Sequence, residues 1–113
     1  SVIFPVGGQC RNLFIDILGQ FYCTIVSSHI VVKYPTNSSM NGTTVVAGNG
    51  TVGSTSMQLN SPNGIYVDQQ LNLYVADCLN HRIQLFRPGQ RNGTTVVGAA
   101  ANGTITLNLP TGL

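Results

Sequence analysis

The sequence predicts an all-β chain built from a repeated four-stranded antiparallel unit. Three observations carry that reading. Short β-branched or aromatic runs alternate with Gly, Asn, Ser and Pro breaks, Glu is absent, and no apolar pattern recurs at the period of a helix. Several runs, Leu73-Tyr74-Val75-Ala76 among them, are apolar throughout instead of alternating, as strands covered on both faces are. And the chain repeats itself.

The elements follow in order. Val2–Val6 is a weak opening run. Leu13–Ile17, Phe21–Val26, Ile30–Tyr34 and Thr43–Ala47 form a first set of strands. Ile65–Asp68, Leu73–Ala76, Arg82–Phe86 and Thr94–Gly98 form a second, and Ile105–Leu107 is a weak closing run. Most have ordinary strand lengths. Ile17 to Val32 carries no formal charge, but it includes Gln20, Ser27, Ser28 and His29, and its 16 residues fall short of the roughly 20 that a spanning helix needs. It reads as two strands and a turn.

The repeat is the most informative feature. Leu13-Phe14-Ile15-Asp16 recurs as Ile65-Tyr66-Val67-Asp68, Phe21-Tyr22-Cys23 as Leu73-Tyr74-Val75, and His29 as His81, each 52 positions on. Asn41-Gly42-Thr43-Thr44-Val45-Val46 returns as Asn92-Gly93-Thr94-Thr95-Val96-Val97, 51 positions on. Leu59-Asn60-Ser61-Pro62-Asn63-Gly64-Ile65 returns as Leu107-Asn108-Leu109-Pro110-Thr111-Gly112-Leu113, 48 on. Four strands per period of this length is the signature of a β-propeller blade. Residues 1–12 are then the end of a preceding blade and a connecting loop, 13–64 a first and degenerate blade, 65–109 a second, and 110–113 the start of the next. Blades bury their faces against neighbours, so two by themselves leave two broad apolar walls uncovered and the remaining blades are required.

The stretch Pro62 to Asp68, then Leu73-Tyr74-Val75-Ala76-Asp77, then Asn80-His81-Arg82-Ile83-Gln84-Leu85-Phe86, resembles an NHL repeat. The likeness runs from about Asn12 onward, with the second copy well matched and the first degenerate. It implies a six-bladed propeller, or a related closed ring, with two blades and the edge of a third in this chain.

Charge narrows the function classes. Five Lys/Arg and three Asp/Glu make 7% of 113 residues, against roughly 25% in an average domain. That excludes a charge-rich disordered tail, a coiled coil and recruitment by a strong field. A net charge of +2 without a basic cluster is not the footprint of a nucleic-acid binder, so no nucleic acid is expected. The chain starts at Ser1 with no cationic, apolar leader, so a signal peptide or membrane segment would lie outside it.

Candidate site residues divide into structural and functional sets. Asp77 and Arg82 align with Ile25 and Ile30 of the first copy, so both charges are absent together there. That is the expectation for a mutually dependent, partly buried pair, since losing one partner strands the other. Asp77 reads as a cap of the turn that follows it, ahead of a catalytic base or ligand; Asp16 and Asp68 read as turn carboxylates. His29 and His81 occupy equivalent turns without a second ligand at metal spacing, so they read as turn histidines and no metal or cofactor is expected. Antiparallel topology collects His29, Asn80, His81, Asn60 and Asn63 on one loop face and Tyr34, Phe86, Arg87 and Arg91 toward the other. No catalytic constellation is placed by spacing.

Cys10, Cys23 and Cys78 lack zinc or redox spacing. Cys23 reads as a small core hydrophobe; a Cys10–Cys23 bridge is open, and the odd count leaves one thiol over. Sequons stand at Asn37, Asn41, Asn49, Asn92 and Asn102, where 11 Asn and 19 Ser/Thr in 113 residues would place about two by chance. They point to an extracellular or membrane-tethered ectodomain, with Asn41 or Asn92 carrying glycan, although Asn-Gly is also a hairpin turn.

The leading function is a non-catalytic interaction scaffold that presents loops to a protein or glycan partner. The alternatives that the resemblance implies are part of a metal-dependent propeller enzyme, such as an amidating lyase or lactonase, and an RNA-binding propeller. The first would need ligands converging from several blades, and the second a basic face.

Overall fold

The computed structural model describes residues 10–34 and 44–98. Val2–Val6, Ile105–Leu107, the flanking segments 1–9 and 110–113, and the sequons at Asn37, Asn41 and Asn102 lie outside the described residues. Two four-stranded antiparallel sheets fill the described chain. The first contains β1 (Cys10–Ile15), β2 (Phe21–Ile25), β3 (Ile30–Tyr34) and β4 (Thr44–Ala47), the second β5 (Pro62–Val67), β6 (Leu73–Asp77), β7 (Arg82–Phe86) and β8 (Thr94–Gly98). Each sheet is hydrogen-bonded in chain order. Among the described residues the helical content is two three-residue 3-10 turns, Val26–Ser28 and Cys78–Asn80. The fold is all-β, and the sheets are two blades of a propeller.

β1 and β5 begin three residues earlier than the apolar runs indicate. Pro62 pairs with Asp77, and a register irregularity carries the strand across Asn63 and Gly64 to Ile65; β1 has the matching irregularity between Cys10 and Asn12. Pro is tolerated at the first residue of a strand, and a bulge absorbs the misfit. β1 also stops at Ile15, leaving Ile17 and Leu18 exposed in the hairpin.

The pleat fixes how the blades stack. Phe14, Tyr22, Lys33 and Thr44 are cross-strand neighbours, and Val31 pairs Ala47 on the same face. This face meets Ile65, Val67, Leu73, Val75 and Phe86 of the second sheet, with Leu59 from the linker, in one buried cluster. The opposite face of the first sheet holds a second cluster of Cys23, Ile25, Val32 and Tyr34, none more than 2% exposed. Cys10 and Cys23 are bridged there, with Cα atoms 5.4 Å apart. The outer face of the second sheet is the open one, with Tyr66 47% and Val96 39% exposed.

Both β1–β2 and β5–β6 hairpins are closed by an aspartate. Asp16 Oδ1 accepts the Leu18 and Gln20 amides, and Oδ2 accepts the Gln20 side chain and the Tyr22 hydroxyl, all at 2.9 Å. Asp68 does the same with Gln70, Asn72 and Tyr74. These are Asx turns extended by two side-chain donors. Desolvation pulls the Asp16 carboxyl upward, but the donors from Gln20, Tyr22 and Leu18 outweigh it and hold it below 3.8. Asp68 is lowered by the same balance. Burial, then the Asp16 carboxylate, pushes the Tyr22 hydroxyl far above its usual range.

Candidate functional site

His29 and His81 end the 3-10 turns in the left-handed region, at φ 55° and 53°, and their amides close the turns on Val26 and Cys78. Histidine is among the residues enriched there. The strand opposite then comes so close that only glycine fits: a Cβ on Gly48 would lie 2.3 Å from the His29 carbonyl oxygen, and one on Gly98 2.7 Å from that of His81. The turn histidines thus set backbone geometry. The His29 ring has a further task, since Nδ1 accepts the Ser61 amide at 3.0 Å and ties the first blade's turn to the start of the second.

Around His81 the loop face is held by charge. Arg82 Nε donates to Asp77 Oδ2 at 2.7 Å, with side chains 10% and 0% exposed. The guanidinium also donates to the carbonyls of Ser54, Thr55 and Gln58. Asn80 Nδ2 donates to Asp77 Oδ2 and to the Gly53 carbonyl, both at 2.8 Å. Asp77 does not cap its own 3-10 turn through the backbone. Its Oδ1 instead accepts the Asn60 amide of the linker at 2.6 Å, and the Leu79 amide donates to the Asn60 carbonyl. Asp77 Oδ1, Asn80 Nδ2 and both terminal nitrogens of Arg82 are thereby bonded to linker backbone between Gly53 and Asn60, while Asp77 Oδ2 ties Arg82 and Asn80 together. Asn63, expected in a loop, sits within β5, because strand pairing extends to Pro62. Among the described residues no three His, Cys, Asp or Glu side chains gather as metal ligands.

Of the sequons in the described residues, Asn49 and Asn92 are exposed. Asn49 Oδ1 accepts the Thr51 amide, and Asn92 Oδ1 accepts the Ser56 hydroxyl; both carbonyl oxygens are used while the amide nitrogens carry no bond to either partner.

The other end of the blade pair has a feature that spacing alone does not reveal. The connection after β7 folds back onto the first blade: Arg91 donates to the Gly48 carbonyl and the Gly93 amide to that of Ser56. Between this connection and β3–β4 lies a cleft of about 310 Å³, floored by Tyr22, Leu73 and Phe86 and edged by Lys33, Arg87 and Arg91. Strand topology alone puts Arg87 and Arg91 at this end, and no spacing in the sequence joins Lys33 to them. Its signal was weak, because Lys33 belongs to the other blade and reaches them through the stacking of the sheets.

Residues 59–86 match the NHL repeat family. No curated protein matches the sequence. A Bacteroides thetaiotaomicron structural genomics protein of unknown function is similar in structure, with TM-score 0.70 and 18% identity over 96% of this chain and 32% of its own. An auxiliary nutrient binding protein of the same organism gives TM-score 0.65 and 18% identity over 88% of this chain and 31% of its own. At such identity the likeness speaks for the fold. The chain spans about a third of the length of either solved protein.

Proposed function

From a chain whose second blade is an NHL repeat, we propose a non-catalytic interaction module, part of a six-bladed ring, that presents its loop face to a protein partner. The observation that carries the reading is the immobilised linker: Arg82, Asn80 and Asp77 hold residues 53–60 by five hydrogen bonds, all to linker backbone groups. Loops fixed before binding lose little entropy when a partner docks. The loops so fixed carry Val52, Met57 and Leu79, at 50%, 42% and 49% exposure. Exposed apolar side chains on a rigid loop face fit a protein surface better than a glycan. The name of the nutrient binding neighbour is in keeping with a binding role.

An extracellular or membrane-tethered setting is part of the proposal. The Cys10–Cys23 disulfide supports it, because such bonds persist in oxidising compartments. So do the exposed sequons Asn49 and Asn92. Expression through a secretory pathway, followed by endoglycosidase, should lower the mass; an unchanged mass removes this support.

The partner reading is tested by probing arrays of extracellular proteins and of glycans with the purified chain and with L79D and V52D variants. Discrete protein hits that weaken at least tenfold in the variants support it. Hits confined to glycans, or hits indifferent to both substitutions, overturn it.

A further inference from the structure

The cleft between the blades at the end away from the loop face has a composition unlike the rest of the surface. We infer that it is a binding site for a small organic anion, one carrying a carboxylate, sulfate or phosphate group on a flat apolar body. Three lines of geometry converge on this.

First, the site is built by both blades. Tyr22, Lys33 and Thr44 stand side by side on β2, β3 and β4. They face Leu73 and Phe86, which are themselves paired across β6 and β7. Tyr22 and Phe86 are 4% and 2% exposed and belong to the inter-blade core, so the floor is rigid. The volume of about 310 Å³ lies at the small end of ligand-sized clefts.

Second, the charge is one-sided. Lys33, Arg87 and Arg91 line the cleft and no carboxylate does, in a chain with five cations in all. The remaining acids are committed elsewhere: Asp77 to Arg82, and Asp16 and Asp68 to their hairpin donors. Among the described residues neither Lys33 nor Arg87 has an ion-pair partner. Cations beside a low-dielectric floor attract an anion more strongly than the same cations in open water.

Third, the polar and apolar parts are arranged in order. The aromatic and aliphatic side chains form the floor, and the cations come from β3 and from the 87–91 connection at the rim. Arg91 is anchored on the Gly48 carbonyl, which holds the connection over the cleft. An inorganic anion would use the rim and waste the floor; a neutral aromatic would do the reverse. The ligand that uses both is amphipathic. The cleft lies beside Lys33, Phe86 and Arg87, at the strand ends opposite the His29 and His81 turns, although the connection that edges it is also bonded to linker residue Ser56.

The test is calorimetric titration of the purified chain with naphthalene-2-sulfonate, with naphthalene-2-sulfonamide as the neutral counterpart and inorganic sulfate as the bare anion. One-to-one binding of the sulfonate is expected, with each control at least tenfold weaker. K33Q and R87Q, at sites outside the core clusters, should each weaken the sulfonate about fivefold while leaving the melting transition in place. Amide chemical shifts should move at Lys33, Val45, Leu73 and Arg87. No saturable sulfonate binding, equal affinity for the neutral amide, indifference to both substitutions, or shifts centred on the loop face would each overturn the assignment.

Discussion

The two blades share one backbone plan and hold it with different chemistry. Each has an aspartate-closed hairpin, a 3-10 turn, a left-handed histidine and an apposed glycine. At the end of the second strand they part: Ile25 faces Ile30 across β2–β3 where Asp77 faces Arg82 across β6–β7. The first blade adds the Cys10–Cys23 bridge; the second adds the guanidinium contacts to linker residues Ser54, Thr55 and Gln58. The backbone geometry is therefore what the fold demands, and the charges are an addition that earns its place by fixing a loop. A buried ion pair is often no more stabilising than apolar residues of similar size, yet breaking one is costly.

That contrast can be broken at several points. The largest effect is expected from removing half of the second blade's pair. R82A or D77A should lose about 3–5 kcal/mol in urea denaturation followed by tyrosine fluorescence, whereas the double variant D77I/R82I, which copies the first blade, should lie within about 1 kcal/mol of the parent plus the loss of loop order. Equal losses in single and double variants would refute the interdependence. Next is the disulfide: C10S/C23S should cost about 3 kcal/mol for a loop of this length, with no counterpart in the second blade.

Smaller still, G98A should cost about 1–3 kcal/mol from backbone strain and crowding against the His81 carbonyl, and G48A should match it, because this element is common to both blades. The smallest difference concerns the hairpins. Y22F removes a buried hydrogen bond to a carboxylate and should cost about 1.5 kcal/mol; Y74F, at a half-buried position with a longer 3.3 Å bond, should cost less. Acid titration sharpens the same point. Asp16 is depressed in the folded chain, so its contribution is present above 3.8 and is lost as pH falls through the lower folded value. D16N should flatten the acid limb of the stability curve below pH 3.8.

Much of this was legible in the residues. The four-strand period, the antiparallel order and the joint absence of Asp77 and Arg82 from the first copy are pattern-level facts. Asp16 and Asp68 were legible as turn carboxylates, whereas their bonds to Tyr22 and Tyr74 were not, although the shared six-residue interval, with Gln20 and Asn72 alike between, is the signal that carries them. The early start of β5 was not, because Pro62, Asn63 and Gly64 are poor strand formers that pair only with help from a bulge. Nor was the direction of the Asp77 carboxylate, which depends on where linker residue Asn60 passes. The cationic cleft needed the stacking of two sheets before Lys33 could meet Arg87.

The fourth strands hold a last lesson. The near-verbatim Asn-Gly-Thr-Thr-Val-Val segments align at 51 positions, but pairing equates Thr44 with Thr94 and Gly48 with Gly98, a separation of 50. Identical letters therefore occupy opposite sides of the pleat, since one step inverts every side chain. A chimera spliced at the matching letters would inherit a frame error that no sequence alignment flags, turning core methyls to solvent along the whole outer edge. Splicing at the glycines, where the polypeptide itself keeps count, would preserve the phase.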